Sequence, residues 1–313
     1  MRVQTPQNPD LTQKLKIDQE ALAKPEWLKI RPPNGKYADI AAILRIKKLA
    51  TVCAEAHCPN ISECWSGGTA TFMLMGETCT RACRFCYVKS GNPKGLLDAT
   101  EPQRLVEAVE IMKLEYVVLT CVTRDDLPDG GAAHFAACIK ALKAAHPKLL
   151  IEVLISDLNG NLDALKTIVD AKPEVIAHNL ETVERLQGDV RDPRANYKKS
   201  LKILEETKKM DPTRYTKSAQ MLGLGETEEE VVQSMKDLRA IDVDIVTYGQ
   251  YLRPSPFHIA IHEYVKPEQF KKYEVLAKEH GFLYCASGAF VRSSYKAGEL
   301  FMKNILKKRG EVS

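Results

Sequence analysis

No stretch of this 313-residue sequence approaches the roughly eighteen consecutive apolar residues that a membrane-spanning helix needs. The N-terminus has no apolar segment flanked by basic residues, so a secretory leader is not expected. Low-complexity segments and repeats of about 20 to 50 residues are absent, which removes solenoids and propellers. Charge of one sign is scarce: the net charge is only +4, and the basic residues form no aromatic-interleaved patch, so a nucleic-acid partner is not expected either. The first fifty residues carry ten Lys/Arg against five Asp/Glu, a local excess that suits an acidic partner or a solvated arm equally. The chain reads as a soluble, cytoplasmic monomer with no membrane contact.

What the sequence does hold is length and cysteine. At 44% hydrophobic and 27% charged it can bury a sizeable core as one main domain with extensions. Nine cysteines, an odd number with no leader, favour reduced thiols over disulfides. Six of them form two triplets, Cys53, Cys58, Cys64 (C-x4-C-x5-C) and Cys79, Cys83, Cys86 (C-x3-C-x2-C). Three thiols per segment cannot close a four-coordinate shell, so each triplet predicts a metal site with one position to be filled from elsewhere.

From Ala70 onward, short β-prone apolar runs alternate with amphipathic stretches. Strands are predicted over Ala70–Gly76, Tyr116–Thr120, Leu149–Ile155, Glu174–His178, Tyr215–Leu222 and Val243–Tyr251. Helices are predicted near Glu101–Lys113, Gly131–His146, Leu162–Ala171, Tyr197–Met210, Thr227–Ile241 and Pro267–His280. Six βα units predict an α/β fold, a partial (β/α)6 TIM-like barrel whose open side suits a large substrate. Residues 1–69 and 282–313 read as N- and C-terminal extensions around a barrel of residues 70–281.

The second triplet lies in the loop directly after the first strand, where barrel chemistry is placed. Three thiolates can hold three irons of a 4Fe-4S cluster and leave the fourth open to a small-molecule ligand. A zinc site completed by a distant residue, or thiols merely packed in a loop, are the alternatives. With Phe85 before its last cysteine, C-x3-C-x2-C resembles the radical S-adenosylmethionine enzymes. That resemblance implies reductive cleavage of S-adenosylmethionine to methionine and a 5'-deoxyadenosyl radical, a chemistry supplied by cofactor and cluster.

The first triplet precedes the barrel and needs its own fourth ligand. His57 is a candidate, though its position next to Cys58 makes reaching the same face difficult. Cys121, Cys138 and Cys285 are others; Cys138 sits in an apolar helical stretch and reads as core, while Cys121 ends a strand. Four further segments, Trp65 with Gly67-Gly-Thr-Ala-Thr-Phe-Met73, His178-Asn-Leu-Glu-Thr-Val183, Gly223-Leu-Gly-Glu226 and Arg292-Ser-Ser-Tyr295, make the chain similar to the lipoyl synthases from about Pro25 to Tyr295. The resemblance implies an auxiliary 4Fe-4S cluster held by Cys53, Cys58, Cys64 and a serine oxygen, carried here to Ser294 with Ser293 as its neighbour.

It further implies that this second cluster donates two sulfur atoms, inserted at C6 and C8 of an octanoyl chain amide-linked to a carrier lysine. The implied partners are octanoylated lipoyl-carrier domains (2-oxoacid dehydrogenase E2 subunits, glycine cleavage H protein), a low-potential electron donor and an iron-sulfur carrier that rebuilds the cluster. Unactivated C–H bonds offer no acid for a base to remove, so no Ser/His/Asp set is required.

Asn179 and Glu181, with His178 at the end of the fourth strand, are candidate S-adenosylmethionine contacts. Arg191 could pair with the cofactor's carboxylate or form a plain salt bridge. Gly223-Leu-Gly-Glu226 lacks the fingerprint of a dinucleotide site; its small residues would admit the adenosyl group and Glu226 would cap the next helix. Arg124-Asp-Asp126 has an active-site position without a role. Tyr87 and Ala219, the latter where glycine is frequent, depart from the family pattern without removing a ligand.

Overall fold

From Thr71 onward the alternation of strand and helix read from the sequence is realised unit by unit. The computed structural model describes residues 24–28, 35–47, 49–55, 58, 60, 61, 64 and 71–294; His57, Trp65, Tyr295 and the basic N-terminal arm lie outside the described residues. Helix α1 (Gly35–Ile46), the short strand β1 (Ala50–Thr51) and the single turn α2 (Val52–Glu55) come first. Then follow β2 (Thr71–Leu74), the two-residue strands β3 (Thr78–Cys79) and β4 (Lys89–Ser90), α3 (Glu101–Met112), β5 (Tyr116–Cys121), α4 (Ala132–Ala145) and β6 (Leu150–Leu154). The second half holds α5 (Leu162–Val169), β7 (Val175–Ala177), α6 (Gln187–Val190), α7 (Tyr197–Met210), β8 (Tyr215–Leu222), α8 (Glu228–Ala240), β9 (Ile245–Gln250), α9 (Pro267–Glu279) and β10 (Tyr284–Ser287).

One eight-stranded sheet runs β1-β2-β5-β6-β7-β8-β9-β10. It is parallel throughout except for β1, which lies antiparallel to β2. Thr71 and Met73 of β2 line the same cavity as Thr247 and Gly249 of β9, so the sheet curls round on itself, while among the described residues β1 and β10 remain unpaired edges. This is the partial barrel expected, with one addition. Residues 284–287 pair in parallel with Ile245–Tyr248 of β9, adding a seventh parallel strand inside the stretch assigned to the C-terminal extension. Four residues of mixed polarity at a sheet edge carry too weak a pattern to be read as a strand.

The strands are buried on both faces, as parallel sheets under helices require; the burial of Tyr116–Thr120 is complete. Inside the barrel Tyr116, Val118, Leu150, Val175, Tyr215 and Ile245 pack as a floor. Above it Lys217 Nζ donates to Glu152 at 2.7 Å and Tyr116 OH to the other carboxylate oxygen at 2.6 Å, a buried pair whose charges are matched in place. Three helices begin on capping side chains: Asn161 for α5, Asn196 for α7, and a capping box of Thr227 and Glu230 for α8. Glu226 is therefore not the cap; its carboxylate accepts from Gly223 and Leu224 N–H and closes its own turn.

Candidate metal centres and cofactor site

A cavity of about 520 Å³ opens at the C-terminal ends of the strands. Both cysteine triplets, Ser293, Ser294, His178, Asn179, Glu181 and Arg191 line it, so these candidates share one chamber. Cys121 lines it too, at the end of β5. Cys138 is fully buried in the α4 core and Cys285, on β10, packs against the hydrophobic cluster of the second half; neither lines the cavity. All nine cysteines are free thiols.

The loop carrying Cys79, Cys83 and Cys86 is fixed from four directions. It leaves β2 through Met75, whose φ of +66° is costly for a residue with a Cβ. The Met75 N–H is held by both oxygens of Glu101, which in turn binds His134 at 2.6 Å. Cys138 lies beside this pair, but the carboxylate is already spent on the turn that launches the loop. Next, Arg81 places its guanidinium between two carboxylates, bonding Asp125 at 3.0 Å and Asp157 at 2.7 and 2.8 Å. Those contacts hold its charge well above the ordinary arginine range despite burial, and hold Asp157 ionised.

On the β7 side Asp192 accepts from the Ala82 N–H at 2.9 Å, and its own N–H donates to Cys83 Sγ at 3.3 Å. Arg194 grips the Asp192 carboxylate and pushes its pKa down. On the far side the Ile259 N–H donates to the carbonyl of Arg84 and the His258 ring bonds that of Cys86 at 3.1 Å. Arg81, Asp125, Asp157 and Asp192 escaped the sequence reading because their partners lie on other loops. The only signal was Arg124-Asp-Asp126, and it divides: Arg124 pairs with Asp126, while Asp125 holds Arg81 of the cysteine loop.

Burial raises the thiols of Cys83 and, to about 12, Cys86. A metal taking these sulfurs as ligands would bind them as thiolates and release their protons. Deeper in, Asn179 Oδ1, Arg191 Nε and Thr247 Oγ1 are buried polar atoms lining the cavity without a partner among the described residues. Such groups cost about 1–3 kcal/mol each unless a ligand meets them. Glu181, held at φ +68° by backbone bonds to Ala219 and Met221, has its carboxyl raised by burial, with Arg191 and Asn179 opposing. The donor set thus fits a ligand bearing an ammonium and a carboxylate.

Arg191 is not a surface salt bridge. It is 7% exposed, and its Nη1 bonds Gln187 Oε1 and Ser200 Oγ, the latter at 2.8 Å. Ser200 in turn faces His178 Nε2, and His178 Nδ1 faces the carbonyl of Ile155. Both ring nitrogens are committed, and burial lowers the His178 pKa to about 4, so the ring is neutral and positions Ser200 and Arg191. Gly223 and Gly225 also have structural roles. A Cβ at Gly223 would lie 2.4 Å from the Glu263 carbonyl, and one at Gly225 would face His262; neither glycine lines the cavity, which corrects the expectation that they admit an adenosyl group.

The other triplet is assembled from both ends of the chain. The Cys58 N–H donates to the Cys53 carbonyl and that of Cys64 to the Asn60 carbonyl, and all three cysteines line the cavity. Burial raises the Cys58 pKa, opposed by the Asn60 N–H and the Arg292 cation. The C-terminal segment meets it by lying across β9, where Gly288 N–H binds Tyr248 and Gln250 N–H binds Ala289. A Cβ at Gly249 would sit 2.0 Å from the Val291 carbonyl, so only glycine admits the segment.

Residues 73–238 match the Radical SAM superfamily. The chain is 55% identical over 290 residues to the lipoyl synthase of Myxococcus xanthus, covering 92% of this chain and 97% of that protein. It is 54% identical over 281 residues to the lipoyl synthase of Thermus thermophilus, covering 90% and 87%. The chain belongs to the lipoyl synthase family. As a lipoyl synthase it is a radical S-adenosylmethionine enzyme that inserts sulfur, with a 4Fe-4S cluster and S-adenosylmethionine, and it acts on octanoylated lipoyl-carrier proteins. Among solved structures, the FeFe-hydrogenase maturase HydG from Carboxydothermus hydrogenoformans superposes with a TM-score of 0.52 at 13% identity, over 94% of this chain and 78% of that one. Methylornithine synthase does so at 0.51 and 13%, over 90% and 83%. At such identities the likeness is one of fold. No helix among the described residues is long and apolar enough to cross a membrane.

Proposed function

We infer that Cys79, Cys83 and Cys86 hold the radical-generating cluster, and that Cys53, Cys58, Cys64 and Ser294 hold a second 4Fe-4S cluster that is consumed as the sulfur source. The observation carrying this reading is that both triplets and the Ser293-Ser294 pair line one cavity of about 520 Å³, close enough for one substrate chain to be served by both. When bound, the first cluster and S-adenosylmethionine supply a radical able to take hydrogen from C6 and C8 of the octanoyl chain, and the second supplies the two sulfur atoms. A serine oxygen is a harder ligand than thiolate, which leaves one corner of the second cluster easier to open.

The chain's own residues bind, orient and exclude water. Arg191, positioned by Ser200 and His178, receives the carboxylate of S-adenosylmethionine, while Glu181 and Asn179 accept from its ammonium. Met73, Val122, Leu154, Met221 and Leu252 give the cavity apolar walls that suit an octanoyl chain and keep water from a radical. In this reading residues 70–281 form the radical-generating barrel. Residues 1–69 and 282–313 build the second site, the latter after contributing β10. Carrier substrates would be 2-oxoacid dehydrogenase E2 subunits and glycine cleavage H protein, with a low-potential reductant and an iron-sulfur carrier as further partners of a cytoplasmic monomer.

Anaerobic incubation with an octanoyl-lysyl peptide, S-adenosylmethionine and a reductant tests the reading: a lipoyl product with 5'-deoxyadenosine is expected, from protein holding about eight irons per chain. Stoichiometric zinc without iron would overturn it. A Ser294→Ala protein with full iron content and full lipoyl formation would remove the serine assignment, and Ser293→Ala is its matched control.

A further inference from the structure

Beyond the cavity, the loop of the second triplet opens onto a rim with its own character. Strand β4 pairs Lys89 with Thr78 and Ser90 with Cys79, so Lys89 stands one strand away from the start of the cluster loop. The chain then runs through Gly91, whose N–H binds the Cys79 carbonyl, to Gly95, whose N–H binds Asp126. Those two ties pin residues 91–95 beside the loop, yet the side chains that follow face solvent: Leu96 is 75% exposed and Leu97 40%. Across the loop, Tyr87 lines the cavity and stacks on His258 at 5.6 Å, and the neighbouring Phe257 is 73% exposed.

Within this stretch of the rim the charge is positive, with the exposed Glu77 and Asp98 flanking it. From Arg84 to Leu97 the sequence holds Arg84, Lys89 and Lys94 and no acidic residue, and all three cations are exposed. Some exposed lysines pair with carboxylates, as Lys202, Lys209 and Lys272 do. Lys89 and Lys94 have no such partner among the described residues. Two cations without a carboxylate partner and large exposed apolar side chains, following in sequence on Tyr87 and Val88 of the cavity lining, have the make-up of an interaction surface.

We propose that this rim docks the folded domain that presents the octanoyl-lysine, and that the docking face of that domain is acidic around an apolar centre. The proposal rests on the chain acting as a lipoyl synthase. The modified lysine must reach into the cavity while the body of its domain stops at the mouth, so whatever surrounds that lysine meets Lys89, Lys94, Leu96 and Phe257. Cations at such a rim steer an acidic partner and set the salt dependence of its capture.

The test compares two octanoylated substrates, a folded carrier domain and a short octanoyl-lysyl peptide, in anaerobic turnover by wild type and a Lys89→Glu/Lys94→Glu double variant. The variant is expected to raise KM for the carrier domain about tenfold and to leave kcat and KM for the peptide unchanged, which also shows that it folds and holds its clusters. Between about 50 and 300 mM salt, the wild-type KM for the carrier should rise several-fold and the variant's should not. Leu96→Ser should raise the carrier KM with the salt dependence intact. An unchanged carrier KM in the double variant, equal shifts on both substrates, or capture of anionic vesicles in place of the carrier overturns the proposal. Failure of wild type to convert either substrate overturns the functional reading, and the docking proposal with it.

Discussion

The Asn60 side-chain amide donates a 2.5 Å hydrogen bond to the carbonyl of Phe290, joining positions 230 residues apart. Asn60 lies between Cys58 and Cys64, and Phe290 lies three residues before Ser293. The bond is buried on the Asn60 side, which is 4% exposed, and it ties the two extensions together where the first triplet and the serines converge.

Replacing that amide removes the tie without touching a thiol. Asn60→Ala should lose about half of the bound iron, that of the second site, while the radical-generating cluster stays. Iron and sulfide analysis with electron paramagnetic resonance of the reduced protein checks it, and full iron retention would contradict it.

Gly249→Ala attacks the same junction from the sheet. Its methyl group would collide with the Val291 carbonyl, so the C-terminal segment must shift. Expected are a destabilisation of about 1–3 kcal/mol, measured by denaturant unfolding of the apo chain, and an iron loss resembling that of Asn60→Ala.

Asp157→Asn strips one carboxylate from Arg81, whose side chain is 4% exposed against 0% for Asp157. Breaking a buried pair on one side costs about 3–5 kcal/mol. The apo protein should melt lower, and iron should be lost from the site of Cys79, Cys83 and Cys86 in preference to the other. Equal loss from both sites would show that Arg81 supports the fold at large rather than the loop.

His178 carries a pH signature. The histidine titrates near 6.5 in an unfolded chain and near 4 in the fold. Because the folded value is the lower, protonation favours the unfolded state. The contribution of His178 is therefore complete above pH 6.5 and is lost as pH falls toward 4. The span corresponds to about 3 kcal/mol. A His178→Asn protein should show a flatter stability profile across that window in pH-dependent unfolding, and an unaltered slope would show that another group sets it.

Much of this architecture was legible in the sequence. The six strand–helix units follow from apolar runs such as Tyr116–Thr120 and from caps such as Asn161 and Asn196. The two triplets were visible because thiols at short spacing have few other uses, and Arg292-Ser-Ser-Tyr295 because it matched a family pattern. What stayed hidden was long-range. Arg81 finds Asp125 and Asp157 only after three loops converge, and β10 is a strand only because β9 offers it an edge. Gly223 looked like a small residue facing a ligand, since the sequence gives no sign that Glu263 returns to pack against it.

The Asn60–Phe290 tie also sets an order of events during synthesis. The cysteines at 53, 58 and 64 leave the ribosome early, but Phe290, which meets Asn60 beside them, emerges 226 residues after Cys64. A nascent chain can complete the strands through β9 and its other thiol triplet before this junction can close. Translation that stopped just short of Phe290 would therefore release a chain that carries strands β2 to β10 but has no partner for the Asn60 amide.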